Sequence, residues 1–507
     1  MLPPAIALFS ALLKAKGHQV DLFDATYYSI DYGVDSDGTK STNLNVVPYD
    51  PGDMGISLRQ SNWSDDLKKK FEDFQPNLVA MSTTEDMWNL GSRLLDSVES
   101  ELKTERIPVI VGGVFPTFAP DLVLAHPLVN LVCVGEGEDA LIELADRISK
   151  GQSYDNVTNL WVKKRTGEIV KNRIAKPFDI ERSPIIDIAL FEDARLYRPM
   201  AGKWYKMLPI ETIRGCPYKC AFCNSPNQIE FYDENVGGGF YRKKSANAIY
   251  EELQHFKKTA GLEYVYFWAD TFLGQSKKEF DEFCEMYSNV KLPFWFQTRP
   301  ETLTDEKVRK LKDIGLHRIA FGIEHGNEKF RKKYLARDFP NDSIIKKLQI
   351  PKNYDVAFSV NNITGFPYED RTLAFDTVEL NRKIQADNAN LYAFVPFHGT
   401  PLRRLVEKLG YLKHEDITRS LTDKPMLDQP QYSATEVAGL QKCFVLYVTL
   451  PKNRWKYIRE AEADTKHGNR MFEKLKEEYW EYMENTKVGD PSNRSADLEY
   501  GFQEGLE

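Results

Sequence analysis

Three cysteines stand within eight residues, in the run Cys216-Pro-Tyr-Lys-Cys220-Ala-Phe-Cys223. Three thiolates on one tight loop can each hold one iron of a 4Fe-4S cube and leave the fourth iron open to a further ligand. Zinc is the other reading, but structural zinc takes four ligands, usually as two closely spaced pairs, and this sequence offers no second pair beside the loop. An electron carrier would normally use a fourth cysteine. The other three of the six cysteines, Cys133, Cys284 and Cys443, are scattered and read as small core residues.

The cysteine run directly follows an apolar stretch at 208–213 that reads as a strand, and further chemistry-bearing residues recur after later strands. These are Ala269-Asp270-Thr271, Arg299-Pro-Glu-Thr-Leu303, Gly322-Ile-Glu324-His325-Gly326 and Gly365-Phe-Pro-Tyr-Glu369. Barrel enzymes place their chemistry at the carboxyl ends of their strands. Glu324 could instead cap or pair with a neighbour such as Arg318, but its place at the end of a barrel strand favours a cofactor contact, and Gly365 could serve as a turn former. His317, His325 and His398 are acid-base candidates, although a lone histidine at a strand end is more often structural. Nearer the start, Gly112-Gly113-Val-Phe115-Pro116-Thr117 and Gly135-Glu136-Gly137-Glu138 each follow a strand. Open sheets bind ligands at that edge. Neither turn is a GxGxxG phosphate loop, so a nicotinamide cofactor has no support.

The elements that must position these residues fall into blocks. Residues 1–150 alternate amphipathic helix and short apolar strand: helices at 5–16, 65–74, 89–102 and 138–149, strands at 19–23, 78–82, 108–111 and 131–134. That alternation predicts an α/β, doubly wound parallel sheet. Residues 26–62 read as a long loop. Such folds normally open with a strand, whereas this chain goes from Pro3-Pro4 straight into a helix, so a first strand is expected to be missing. Residues 151–204 form a hairpin and connector, with a turn at Thr166-Gly167. Residues 205–420 hold six strand-helix units, with strands at 208–213, 264–268, 294–297, 318–323, 356–364 and 390–396, predicting a partial (β/α)6 barrel. Residues 421–507 form a helical region, opened by a capping box at Ser433 and Glu436.

Composition bounds the function. The chain has 507 residues, 42% of them hydrophobic and 28% charged, which is ordinary globular usage. A net charge of −8 provides no field to gather phosphates, so nucleic acid is not an expected partner. No apolar stretch spans a membrane and the start lacks a secretory pattern, so a cytoplasmic location is expected.

The segment Arg214 to Cys223 resembles the radical S-adenosylmethionine (SAM) signature, CxxxCxxC with an aromatic before the last cysteine, and the resemblance runs over roughly 209–409. The two glycine turns ahead of it are similar to the cobalamin-binding domain found before the barrel in one large class of these enzymes. The resemblance implies that Cys216, Cys220 and Cys223 ligate a 4Fe-4S cluster and that SAM binds its open iron, with Phe222 beside the adenine. It assigns Asp270, Arg299, Glu324 and Gly365 to SAM as well. Asp270 stands where many members have the Glu of a Gly-Gly-Glu. The resemblance assigns Thr83, Thr84, Gly112, Gly113, Phe115, Pro116, Thr117, Gly135, Glu136 and Gly137 to cobalamin.

The Asp-x-His-x-x-Gly motif that places histidine below cobalt is absent, and Phe115 stands where the family often has histidine. Phe115 is therefore expected to pack beneath the corrin, with no strong lower ligand. The implied reaction is methylation of an unactivated carbon through a 5'-deoxyadenosyl radical. The substrate, a small molecule or lipid, is unspecified, and the implied external reductant is a flavodoxin or ferredoxin. Related enzymes close or rearrange rings, which is the alternative; a non-catalytic cobalamin sensor or electron carrier is a remote one. A methylthiotransferase would need three more cluster cysteines before the barrel, where only Cys133 stands.

Overall fold

The computed structural model describes residues 2–29, 36–421 and 423–486. The N-terminal sheet has the order β1-β2-β3-β4-β5, from β1 Val79–Ser82, β2 Val109–Gly112, β3 Leu131–Cys133, β4 Leu160–Lys163 and β5 Ile169–Lys171. β1, β2 and β3 are parallel. β4 and β5 add an antiparallel hairpin, with its turn where Thr166-Gly167 predicts it. β3 and nearly all of β2 are buried, and their unbroken Val, Ile and Leu runs suit parallel strands covered on both faces. One face is covered by Trp63–Phe74 and Trp88–Ser97, through Leu67, Phe71 and Trp88. The other is covered by Pro4–Ala15 and Glu138–Ser149, through Phe9, Leu13, Ala140 and Leu144.

Three expectations for this unit need correction. Residues 19–23, expected as a strand, take no regular secondary structure and pair with no strand among the described residues. The helix expected at 89–102 is two helices, Trp88–Ser97 and Glu99–Thr104, broken at Val98, which has φ −115° and ψ 24°. The break turns both Val98 and Leu102 into the core. The loop at 26–62 contains a short helix, Ser36–Thr42, and a one-turn helix at Pro51–Met54; residues 30–35 lie outside the described residues.

The second sheet runs β13-β12-β11-β10-β9-β7-β6, with β8 on β7. Its strands are β6 Tyr197–Met200, β7 Lys203–Arg214, β8 Arg242–Lys243, β9 Tyr264–Ala269, β10 Phe294–Thr298, β11 Leu316–Glu324, β12 Ala357–Thr364 and β13 Asn388–Ala393. From β7 to β13 the six main strands are parallel. β6 and β8 run antiparallel to β7, extending the sheet beyond the six strands expected. Helices Ala246–Thr259, Lys277–Tyr287, Asp305–Asp313 and Asn341–Leu348 cover the outside over a core rich in Phe267, Phe272, Phe283, Phe294 and Phe296. The helices Ala434–Thr449, Trp455–Ala461 and Lys466–Thr486 pack on β13 and on Arg371–Ile384. The capping box at Ser433 and Glu436 is formed.

Candidate active site

The cysteine loop leaves the carboxyl end of β7 through Gly215, at φ +92°, where a side chain would press on Phe240 and Tyr241. Cys223 then caps the helix Asn224–Val236, whose N-terminal dipole favours negative charge on the sulfur. Cys216 and Cys220 are buried and Cys223 half-buried. Burial raises the pKa of all three thiols, that of Cys223 to about 12, so metal loading must displace their protons. Among the described residues, three donor atoms come within 4.8 Å of one another only at His398, Glu407 and His414.

The rim around the loop carries the other sequence candidates. Thr271 Oγ1 lies 3.3 Å from Cys216 Sγ. Arg299 donates to Cys220 Sγ at 3.3 Å while its guanidinium lies 3.7 Å from the Tyr218 ring centroid. Asp270 accepts from Ser225 Oγ at 2.6 Å, and burial raises its carboxyl pKa. Glu324 accepts from Arg337 Nη1 at 2.6 Å and has φ +73°, a left-handed conformation that is unusual for a side-chain-bearing residue. Phe222 packs against Phe366, 6.2 Å between centroids. The Gly365 amide donates to Glu369 Oε2 at 2.6 Å, so a buried carboxylate fixes that turn. Asp270, Arg299 and Glu324 thus share one rim with the thiols, at the ends of β9, β10 and β11.

The three histidine candidates are all engaged. His325 bonds Glu369 and the Asn327 amide, and His317 bonds the Tyr264 hydroxyl. His398 turns one ring nitrogen to Glu85 and the other to the His414 carbonyl.

The N-terminal turns meet at Thr117, whose hydroxyl donates to the Gly113 carbonyl at 2.8 Å and accepts from the Gly135 amide at 3.0 Å. Gly113 lies so close to Thr83 that a Cβ would sit 2.5 Å from its carbonyl oxygen. A cavity of about 1820 Å³ runs below these turns, lined by Gly112, Gly113, Thr117, Gly135, Glu136 and Gly137. Thr83, Phe115 and Pro116 are buried and Thr84 exposed, off the cavity wall. Phe115 lies between Trp88 and His398, at 6.1 and 5.8 Å between centroids.

Motif reading missed what joins the two halves. Arg214, two residues before Cys216, binds Glu136 and Glu138 at 2.7 Å each and Glu211 at 2.9 Å. Arg242 also bonds Glu136, and Tyr232 accepts from the Glu136 amide at 2.7 Å. The Glu136 carboxylate is thus committed to the barrel.

Two family models match in tandem: the B12 binding domain over residues 50–145 and the Radical SAM superfamily over 210–379. The chain belongs to the cobalamin-binding-domain radical SAM enzymes. An uncharacterized methyltransferase of Pyrococcus horikoshii is 24% identical to this radical SAM enzyme over 396 residues, 76% of this chain and 82% of the relative. The anaerobic magnesium-protoporphyrin IX monomethyl ester cyclase of Rubrivivax gelatinosus is 23% identical, over 68% of this chain and 60% of its own length. The solved structure of the cobalamin-dependent SAM radical enzyme OxsB, with aqua-cobalamin and SAM bound, superposes with a TM-score of 0.64 at 16% identity. That superposition covers 96% of this chain and 68% of OxsB, and establishes the shared fold. Among the described residues no helix is long and apolar enough to cross a membrane. The cofactors that belong with the two domains are a 4Fe-4S cluster, SAM and cobalamin.

Proposed function

We propose that this radical SAM enzyme methylates an unactivated carbon of a small-molecule substrate, drawing electrons from an external flavodoxin or ferredoxin. The observation that carries the reading is the Arg214 link, which holds the cysteine loop against the glycine turns of the cobalamin-binding unit. When bound, the reduced cluster cleaves SAM to a hydrogen-abstracting radical, and cobalamin supplies a methyl group. Cys216, Cys220 and Cys223 would hold the cluster. Asp270, Arg299 and Glu324 offer SAM two carboxylates and a guanidinium from one rim, and Phe222 and Gly365 lie beside it. Gly112, Gly113, Thr117, Gly135 and Gly137 would line the cobalamin site; Thr83 packs against Gly113 and Pro116 is buried, Thr84 is exposed away from the cavity wall, and Glu136 ties the site to the barrel. Phe115 packs between Trp88 and His398, and both ring nitrogens of His398 are engaged, by Glu85 and by the His414 carbonyl.

The methyltransferase relative favours methyl transfer, and the cyclase relative favours ring closure. Product counting decides between them. The protein, reconstituted anaerobically and given reductant, cobalamin, SAM and a metabolite extract, is expected to form S-adenosylhomocysteine and 5'-deoxyadenosine in equal, substrate-dependent amounts. Deoxyadenosine with background S-adenosylhomocysteine establishes the cyclase or rearrangement reading instead.

A further inference from the structure

The outer face of the barrel sheet is filled, with Phe267, Phe294, Phe296, Ile319, Phe321 and Phe358 in the core beneath the helices. Side chains alternate across a strand, so Tyr266, Trp268, Trp295, Gln297, Arg318 and Ser359 face the concave side. The ladder sets them in rows. Tyr266, Trp295, Arg318 and Ala357 are neighbours across four strands. Two residues further along each strand come Trp268, Gln297, Ala320 and Ser359, and the next row holds Gly322, Asn361 and Asn390. Asp270, Arg299 and Glu324 close the strand ends above.

Three features of this wall point to a ligand. Trp268 is 40% exposed although Phe267 and Ala269 beside it are buried. It shares its row with the small side chains of Ala320 and Ser359, and it also lines the cavity beneath the glycine turns. Arg318, on the lowest row, makes no hydrogen bond or ion pair among the described residues, and burial works against its charge. Asp387 offsets that charge through space, but its carboxylate accepts from the Phe358 amide at 2.8 Å. Trp295 Nε1 and Asn390 Oδ1 are buried without a hydrogen-bond partner among the described residues, whereas buried polar atoms are normally paired. Both side chains are nonetheless fixed: Trp295 stacks on Tyr266 at 4.1 Å between centroids, and Asn390 Nδ2 donates to Asn361 at 2.9 Å.

We propose that the concave face binds a planar aromatic carboxylic acid, its ring on Trp268 and its carboxylate on Arg318 and Trp295 Nε1, with an N–H or O–H of the ring turned to Asn390 Oδ1. A guanidinium matches a carboxylate in two parallel hydrogen bonds, and an exposed indole face is a stacking platform. The three rows hold no second cation, so a single negative charge suits them better than a phosphate dianion. Arg318 and Gly322 lie four residues apart on β11, roughly 13 Å at about 3.3 Å per residue. An acid anchored at Arg318 therefore presents its ring end, not its carboxylate, to the rim of Asp270, Arg299 and Glu324.

This substrate class rests on the small-molecule reading above, but binding is read without reductant, so no turnover enters. The full chain, reconstituted with cluster, cobalamin and SAM, is titrated by calorimetry with indole-3-acetate, its neutral amide and cyclohexylacetate. Indole-3-acetate is expected to bind about tenfold tighter than either of the others. Arg318→Gln is expected to bring acid and amide to equal affinity, and Arg318→Lys to keep part of the preference, which separates loss of charge from misfolding. Trp268→Leu is expected to weaken the two indoles alike and to leave cyclohexylacetate unchanged. Equal binding of acid and amide by the parent, a preference that survives Arg318→Gln, or no binding of any of the three overturns the proposal. S-adenosylhomocysteine and deoxyadenosine formed in equal amounts from a substrate without an aromatic ring overturn the substrate class and leave the methylase reading standing. Acid-selective binding lost in Arg318→Gln supports the site even where S-adenosylhomocysteine stays at background and the methylase reading fails.

Discussion

At the scale of single residues, Glu324 combines a left-handed backbone with a side chain folded back over its own strand. A Cβ on Gly322 would lie 2.3 Å from Glu324 Oε1, so the strand needs glycine there for the carboxylate to reach Arg337. Burial pushes the Glu324 carboxyl up, and Arg337 draws it back down. Replacing Arg337 with Met strands a buried charge at a cost of about 3–5 kcal/mol. A folded-state pKa raised further above the unfolded value means stability lost as pH rises. The drop in unfolding midpoint of Arg337→Met against the parent is therefore expected to be small at pH 5 and larger at pH 8, by thermal scans at both. An equal drop at both pH values shows that Glu324 is not the group left unpaired.

The loop thiols make a second prediction at this scale. Each of Cys216→Ala, Cys220→Ala and Cys223→Ala is expected to lose the broad visible absorption and most of the iron after anaerobic reconstitution. Retained iron, or stoichiometric zinc in the native protein, contradicts the cluster assignment. The cysteines were legible in the sequence because their chemistry sits on one loop. Arg337 was not: its link to Glu324 spans 13 residues and depends on a backbone conformation that no residue type announces.

At the scale of elements, local rules read well wherever neighbours agreed with them. The helix Glu138–Ser149 was legible to the residue because its apolar period and acidic first turn coincide with a real face against β3. Barrel strands such as β9 and β10 were legible as apolar runs between amphipathic helices, whereas β12 and β13 alternate buried and half-buried positions and carry Asn361, Asn362, Asn388 and Asn390. Residues 19–23 show the limit: Val20 and Leu22 alternate as a strand should, yet a strand is a shared structure and needs an edge to bond. The capping box at Ser433 was also legible, since both partners lie three residues apart. Ser433→Ala leaves the Glu436 amide uncapped and is expected to cost about 1 kcal/mol, seen as a lower urea midpoint for the helices packed on β13.

Across the whole molecule, the two sheets are held together by buried polar contacts that no motif displays. Glu85, from the N-terminal unit, accepts from the His398 amide at 2.8 Å, the His398 ring at 2.7 Å and the Thr418 amide at 3.0 Å. Removing that acceptor leaves buried donors unpaired at about 1–3 kcal/mol each. Glu85→Ala is expected to loosen the junction, giving faster proteolytic cleavage within 151–204 while the far-ultraviolet spectrum keeps its helix content. Cleavage at the parent rate means that this contact does not hold the junction. Glu85 was not legible because its partners lie more than 300 residues away in sequence.

The Arg214 link also bears on how freely the two halves can be exchanged. A graft that brings residues 1–150 from one relative onto the barrel of another imports an anion pair cut to fit a guanidinium at one place on β7. If the recipient lacks that guanidinium, Glu138 arrives as a buried charge without its counterion and Glu136 keeps only Arg242, and the hybrid is penalised before any cofactor binds. Hybrids should therefore succeed when Glu136, Glu138 and Arg214 travel together or already match, whatever the overall identity of the parents. For recombination, the cut point at the connector is less informative than these three positions, and hybrid libraries are best sorted by them.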